Sequence, residues 1–191
     1  MPFLFEYFPT IRYDIKKNMK YEIIRNTMLR FKINQILKTR RAEYFSYSIE
    51  DGERADVLAY KIYEDATLDW LIFLTNDIYD PYYDWPLSQS DLISHIRSKY
   101  GSVPAAQSQV KEYRKILNPQ SVLFDETVLP KRTLVIDSTT YSTLPLSSRE
   151  IISMYDYEVE QNEKKRDIKL IEGRYIGSII SQIESLLEED E

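Results

Sequence analysis

The chain has 191 residues, 43% of them hydrophobic and 29% charged, with a formal net charge of −6, one histidine and no cysteine. This composition is typical of a folded globular protein, and it excludes disulfide frameworks, thiolate metal sites and cysteine nucleophiles. The four glycines match neither common phosphate-binding loop, and no apolar run approaches the length of a membrane span. We therefore expect no catalytic residue, metal, cofactor, membrane span or signal peptide.

The first eleven residues are mostly aromatic or apolar and include two prolines. Because proline restricts the backbone and removes a hydrogen-bond donor, a stable helix is disfavoured here. We predict an extended docking peptide, whose aromatic side chains are candidate contacts with a partner: Phe3, Phe5 and Phe8.

A basic segment follows this peptide and completes an N-terminal arm over residues 1–41. Residues 12–41 carry ten basic and two acidic side chains, a net charge of +8, whereas the rest of the chain carries −14. Apolar residues recur within this segment at helical spacing, which predicts a helix over Lys20–Leu37. A basic and apolar helix suits an acidic protein surface, on this chain or on a partner, better than it suits nucleic acid.

Residues 42–101 are predicted to form a small domain. Apolar and polar side chains alternate over Glu43–Ile49, as in a half-buried strand, and Asp51-Gly52 supplies turn chemistry. Helical spacing then predicts one helix from Asp56 and a second over Leu68–Asn76. The local order is therefore strand, turn, helix, helix.

An aromatic loop over residues 77–86 follows the second helix. Two prolines exclude a helix interior, so we predict an extended and packed loop. Aromatic side chains tend to dominate the binding energy of protein interfaces, which makes Tyr79, Tyr82, Tyr83 and Trp85 candidate contacts. For Trp85 a position in the core is an equally open alternative.

The remaining chain is predicted to be a third helix followed by a C-terminal hairpin and helical region over residues 102–191. Ser88 and Gly101 match the start and end of the third helix. Residues 102–146 carry four of the eight prolines and several β-branched runs, which predict hairpins and long connections. Capping residues, alternation and an apolar stripe then predict a helix, a strand and an amphipathic helix, over residues 147–165, 167–171 and 176–187.

Three blocks of the sequence resemble a known family: Tyr47–Arg54 with Val57–Tyr63, Leu68–Trp85, and Tyr155–Leu170. The first block, continued by Asp69–Leu71 and Asn76, resembles the LysM module, with its strand, aspartate-glycine turn and two helices. Together the blocks are similar to the baseplate wedge protein 53 family of contractile-tailed, T-even-like bacteriophages, which contains a LysM-like domain.

The resemblance implies an α+β fold. A central LysM-like β-α-α-β module would follow an extended N-terminal arm and precede a C-terminal α/β segment that ends in an amphipathic helix. The implied function is that of a non-enzymatic structural virion protein, assembled in the host cytoplasm, which connects neighbouring wedges of the tail baseplate. The implied partners are other baseplate wedge proteins and neighbouring wedges, with multiple copies around a six-fold tail, and neither nucleic acid nor membrane.

An alternative function is recognition of peptidoglycan or chitooligosaccharide by the LysM-like module. The resemblance would place this site at the turn around Gly52 and at the loop Asn76–Asp80. Two departures from the family pattern are Ala55, where proline is frequent, and Glu64, where glycine is usual. A glutamate at positive φ would cost about 1 kcal/mol.

Overall fold

The computed structural model describes residues 4–27, 44–122 and 128–188. Helices and strands are both well represented, which confirms the α+β class. The chain forms two compact units, one made of Met1–Pro86 with Lys165–Glu191 and the other of Leu87–Lys164. The division predicted after residues 41 and 101 stays a prediction, and local composition does not show that the C-terminal segment contributes to the first unit.

Short strands and helices follow one another along the described residues. The strands are β1 Thr10–Tyr13, β2 Glu22–Arg25, β3 Tyr44–Ser48, β4 Val110–Asn118, β5 Ser121–Val122, β6 Val128–Leu129, β7 Arg132–Ile136, β8 Arg149–Ser153 and β9 Asp167–Ile171. The helices are α1 Ala55–Tyr63, α2 Asp69–Thr75, α3 Pro81–Asp84, α4 Gln89–Tyr100, α5 Val103–Ser108, α6 Ser138–Thr143, α7 Met154–Lys164 and α8 Ile176–Glu188.

The first unit is built around the antiparallel pair β3–β9, in which Tyr44 lies opposite Ile171 and Ser48 opposite Asp167. In chain order the elements are a strand, two helices and, after residues 87–164, the second strand. Aliphatic side chains from α1, α2, β9 and α8 are fully buried and form its core: Leu58, Leu71, Ile72, Leu170, Ile171, Ile179 and Ile183. Burial of these side chains is the main favourable term for this unit.

The turns that join the elements of the first unit are determined by the backbone conformation and hydrogen bonds of individual residues. Gly52 has φ +72° in the turn after β3, a conformation that glycine adopts without a Cβ clash. Helix α1 ends at Glu64, which has φ +59° and so adopts the left-handed conformation although it is not glycine. Asp65 then accepts a hydrogen bond from the Thr67 backbone N–H at 2.9 Å, which satisfies a free donor before α2.

The second unit contains a three-stranded antiparallel sheet in the order β7-β4-β8. Its helical core is small and joins Leu92 and Ile96 of α4 to Ala106 of α5. On the central strand β4, the Arg114 guanidinium pairs with Glu112 and with Glu160 of α7, at 2.8 Å in both cases. The short antiparallel pair β5–β6 lies between β4 and β7 in the chain and forms a sheet of its own.

Several predicted elements are confirmed within the described residues. Strand β3 and helices α1 and α2 lie where alternation and helical spacing predicted them. Helix α4 begins after Ser88, whose hydroxyl accepts the Asp91 N–H, and ends at Gly101 with φ +84°. Strand β9 and helix α8 are also confirmed.

The N-terminal predictions were wrong in part. Residues Leu4–Glu6 form a short 3-10 helix instead of an extended peptide. The helix expected over Lys20–Leu37 is replaced at its start by strand β2, which pairs with β1, and the rest of that range lies outside the described residues. The two β-branched residues at the centre of β2, together with the alternation in β1, favour strand pairing over a helix.

Two further predictions were wrong for reasons of capping. The loop 77–86 contains helix α3, because Pro81 occupies the first helical position, where its missing N–H costs nothing, and Asp80 caps the Tyr82 N–H. The helix expected from residue 147 begins only at Met154, after β8. Its capping residue is Ser153, whose hydroxyl accepts the Asp156 N–H at 3.1 Å.

Residues 102–146 contain the expected hairpins and also two short helices that the prolines concealed. Helix α5 carries Pro104 in its first turn and is capped by Ser102. Helix α6 is capped by the Asp137 carboxylate, which accepts hydrogen bonds from the Thr139 and Thr140 backbone N–H groups. Both helices are too short for periodicity to reveal them.

Candidate protein-protein interfaces

The aromatic loop is attached to the first unit through Trp85. Its indole N–H donates a hydrogen bond to the Glu53 carbonyl oxygen at 2.8 Å. Its ring meets the edge of Phe73 at a centroid distance of 5.7 Å and an interplanar angle of 89°. Trp85 is half-buried and packs against the cluster of buried residues around Ile72. The structure therefore places Trp85 between core and surface, where it fixes the end of the loop.

The turn that receives Trp85 is itself held by a buried carboxylate. The Glu53 side chain is 8% exposed and accepts hydrogen bonds from the Tyr47 hydroxyl at 3.0 Å and the Glu50 N–H at 3.1 Å. The Lys61 ammonium lies 3.5 Å from the same carboxylate. Its hydrogen bond with Tyr47 raises the pKa of Lys61, so the ammonium stays charged at neutral pH.

The tyrosines of the loop project into solvent from this support. Tyr79, Tyr82 and Tyr83 are 74%, 80% and 68% exposed. The ring of Tyr82 meets that of Tyr83 edge-on at 5.1 Å, and the Lys165 ammonium donates a hydrogen bond to the Tyr83 carbonyl oxygen. Neighbouring exposed aromatic side chains on an ordered backbone are typical of a contact surface.

The candidate aromatic residues of the N-terminus have different environments. Phe3 lies outside the described residues. Phe5 is 59% exposed, whereas Phe8 is 5% exposed and lies inside the first unit. The Arg25 guanidinium donates hydrogen bonds to the carbonyl oxygens of Glu6 and Phe8, at 2.6 and 2.8 Å. Of the two described phenylalanines, only Phe5 is therefore available to a partner.

The hairpin β1–β2 is a second exposed surface, and the prediction of a helix missed it. Large apolar side chains of this hairpin are 53% to 89% exposed: Tyr13, Ile15, Met19, Tyr21 and Ile23. The signal was present in the sequence, since short β-branched runs flank a turn that contains Asp14 and Asn18. Both residue types favour turns through hydrogen bonds to the nearby backbone.

In the loop Asn76–Asp80, which the glycan-binding alternative would use, the Asn76 side chain makes hydrogen bonds within the fold. The Asn76 amide nitrogen donates to the carbonyl oxygens of Ile72 and Lys169, at 2.9 and 2.8 Å. Its amide oxygen accepts the Lys169 N–H at 2.8 Å. Asn76 therefore joins the end of α2 to β9.

Ionisable groups in the second unit form an ion-pair cluster around Glu158. Its carboxylate lies 2.7 Å from both the Lys99 ammonium and the Tyr100 hydroxyl, and 3.8 Å from His95. Burial opposes ionisation of Glu158, but the hydrogen bonds from Lys99 and Tyr100 outweigh it and lower the pKa of this carboxyl. The arrangement is that of a structural salt bridge.

The described residues contain no group of three or more histidine, cysteine, aspartate or glutamate side chains that could hold a metal ion. Within the same ranges, no helix has the length and apolar character that crossing a membrane requires. Among the surfaces of the described residues, the aromatic loop and the β1–β2 hairpin each gather several exposed aromatic or apolar side chains.

Comparison with known proteins identifies the family. The family model described as Base plate wedge protein 53 matches residues 3–119, which is more than half of the chain. The chain belongs to this family. It is also similar to the Baseplate wedge protein gp53 of Enterobacteria phage T4, with 25% identity over 201 aligned positions that cover 97% of this chain and 96% of the relative.

Membership of the base plate wedge protein 53 family confirms the resemblance predicted from the sequence blocks. The family match includes both exposed surfaces, the hairpin and the aromatic loop. The Tyr155–Leu170 block lies beyond the family match but within the range aligned with the T4 protein. The LysM-like character of the central residues stays a prediction.

Proposed function

We propose that this protein is a structural component of a phage tail baseplate, which connects neighbouring wedges through protein contacts and catalyses no reaction. It would be assembled in the host cytoplasm and act within the virion tail, beside other baseplate wedge proteins. The observation that carries this proposal is the aromatic loop. Three exposed tyrosines stand on a backbone that Trp85 fixes to the first unit.

A surface that is ordered before binding loses less entropy when a partner covers it. Exposed tyrosine side chains offer a large contact area and lose little rotamer entropy on binding. The hydrogen bond from Trp85 to Glu53 and the cap of Asp80 already order the loop backbone. Binding therefore requires little further ordering, which raises the affinity that a given contact area provides.

The arrangement of the first unit also supports a LysM-like module. Strand β3, helices α1 and α2, and strand β9 follow the β-α-α-β order of the resemblance. In our proposal the second strand of the module is β9, and residues 87–164 are an insertion before it. The module would then consist of two separate stretches of the chain instead of the predicted range 42–101.

The test of the proposed function is assembly with other baseplate wedge proteins. The double variant Tyr82→Ala with Tyr83→Ala should fold normally but enter assembled baseplates poorly, because it removes the exposed rings. A matched control is Tyr60→Ala, since Tyr60 is 65% exposed on α1 in the same unit. Incorporation is measured by quantifying the chain in purified tails.

The result decides between the proposal and its alternatives. Loss of incorporation by the loop variant but not by Tyr60→Ala supports a contact made by the loop. Equal incorporation of the wild type and both variants would refute it. Retention of the wild-type chain on chitooligosaccharide or peptidoglycan beads, together with normal assembly of the loop variant, would favour glycan recognition instead.

A further inference from the structure

The tip of the β1–β2 hairpin is an ordered surface that is both basic and apolar. Residues 15–21 carry three lysines and no acidic residue. Among them, Ile15, Met19 and Tyr21 are 56%, 89% and 67% exposed. Neighbouring exposed apolar side chains rimmed by polar and charged residues are typical of a protein-binding surface.

The conformation of this tip is held by side-chain hydrogen bonds and not by packing. The Asp14 carboxylate accepts the backbone N–H groups of Asn18 and Met19, at 3.1 and 2.6 Å, and the Asn18 side chain accepts the Lys20 N–H at 3.1 Å. These bonds keep Lys17 and Met19 at φ +52° and +62°, in the left-handed region that non-glycine residues rarely adopt. The lysines are therefore presented on a preformed turn.

The aromatic loop has the complementary character. Residues 77–84 carry three aspartates and no basic residue, which gives a formal charge of −3 opposite the +3 of residues 15–21. The side chains between these aspartates include the three exposed tyrosines. Methionine, isoleucine and lysine side chains pack well against tyrosine rings, and lysine adds a cation-π attraction.

We infer that the hairpin tip of one copy of this chain binds the aromatic loop of a second copy. Within a single copy the two surfaces do not cover each other, because the side chains of both are largely exposed. Two different surfaces of one chain then form a head-to-tail contact, which generates rings or open chains of copies instead of a symmetric dimer.

The inference deepens the proposed function and rests on it in one respect, that the aromatic loop is a contact surface. Each patch is smaller than a standard protein interface, so the contact should be weak in dilute solution. It should strengthen when other subunits hold the copies close together, because the effective concentration rises. Opposite charges on the two surfaces also make the contact sensitive to salt.

Sedimentation of the purified full-length chain tests the inference directly. At low salt the apparent mass should rise with protein concentration. Charge reversal in the hairpin, by Lys16→Glu with Lys17→Glu, should weaken association about tenfold or more. Reversal in the loop, by Asp77→Lys with Asp84→Lys, takes residues 77–84 from −3 to +1 and should have the same effect.

Mixing the two reversed proteins provides the decisive measurement. Each hairpin then meets a loop of opposite charge, so association should return in the mixture. The matched control is Arg97→Glu with Arg132→Glu, which changes the net charge as much as the hairpin variant does but at exposed positions of the second unit. This control should associate like the wild type, and circular dichroism should show that all the proteins are folded.

Three results would overturn the inference. They are a wild-type chain that stays monomeric at every concentration, reversed variants that associate like the control, and a mixture in which association does not return. A hairpin variant that is excluded from tails while the wild type is monomeric would assign the hairpin to a different partner chain. That last result would leave the proposed function intact, whereas normal tail assembly of Tyr82→Ala with Tyr83→Ala would refute the proposed function separately.

Discussion

Two antiparallel pairs of short strands in the first unit have opposite surroundings. The pair β3–β9 lies beside α1, α2 and α8, and Ile168, Leu170 and Ile171 of β9 are at most 4% exposed. In the pair β1–β2 every residue is exposed except the half-buried Ile24. An isolated two-stranded hairpin is at best marginally stable in water. The difference shows that one strand pair builds the core, while the other depends on Arg25 and Asp14 and leaves its apolar side chains available.

The largest expected effect follows from deleting a core side chain of β9. Leu170→Ala should lower the free energy of unfolding by about 2 to 5 kcal/mol, because it leaves a cavity among fully buried neighbours. The matched variant Ile23→Ala in β2 removes a side chain that is 71% exposed and should change stability by less than about 0.5 kcal/mol. Urea denaturation followed by circular dichroism measures both, and equal losses would contradict the comparison.

Alkaline pH should weaken the contact between α1 and β9. The Tyr63 hydroxyl accepts the Ile171 N–H at 3.2 Å, and burial raises the pKa of Tyr63 to about 12. The unfolded chain ionises this group near pH 10, so its stabilising contribution is complete below pH 10 and is lost as pH rises toward 12.

The expected size of this alkaline effect is about 2 to 3 kcal/mol, from a shift of about two pKa units. Comparison with the variant Tyr63→Phe separates the contribution of Tyr63 from those of the other tyrosines and the lysines, which also titrate in this range. Unfolding measured from pH 9 to pH 12 should show that the wild type loses its advantage over Tyr63→Phe. A constant difference across that range would show that Tyr63 ionises normally.

Asn76→Ala should destabilise the first unit by about 1 to 3 kcal/mol, because it removes three side-chain hydrogen bonds, one to the Ile72 carbonyl and two to the backbone of Lys169. The corresponding change in the exposed pair is Asn18→Ala, which releases a hydrogen bond that water can replace. Thermal unfolding should separate the two variants clearly. Similar melting temperatures would mean that Asn76 does not couple α2 to β9.

Glu64→Gly should stabilise the chain by about 0.5 to 1 kcal/mol, since glycine adopts φ +59° without the strain of a Cβ. The control Glu64→Ala keeps the Cβ and removes the charge, so it should give no such gain. Chemical denaturation of both variants tests the effect. A gain of equal size in Glu64→Ala would attribute it to charge instead of backbone strain.

The smallest effect on stability is expected for Asp14→Ala. The global free energy of unfolding should change by less than about 0.5 kcal/mol, because none of residues 14–21 belongs to the buried core. Amide hydrogen exchange at Asn18 and Met19 should nevertheless accelerate, since both N–H groups lose their acceptor. Unchanged exchange would show that Asp14 does not order the tip.

The sequence predicted the core elements well because their signals are local. The helical spacing of α1 and the apolar stripe of α8 each indicate a face that must be buried, and the alternation of β3 leads to the buried Ile49. The predictions failed where capping residues start a helix in a segment whose composition predicted a loop. Asp80 and Pro81 do so at the start of α3.

The candidate interface was only partly accessible to sequence reasoning. Aromatic content identified the loop tyrosines, and the structure shows that their side chains are exposed. The same criterion also selected Phe8, because an aromatic side chain in a short motif gives the same pattern whether it is buried or exposed. The hairpin surface was missed, since its apolar residues were interpreted as the face of a helix.

By itself the sequence determined the α+β class, most elements of the core and the family of the chain, because local periodicity and distinctive blocks carry this information. Only the tertiary structure decided that β9 pairs with β3 across residues 87–164, which aromatic side chains are exposed, and that Asn76 serves the fold. These properties depend on contacts between residues distant in the chain, and such contacts leave no local periodicity.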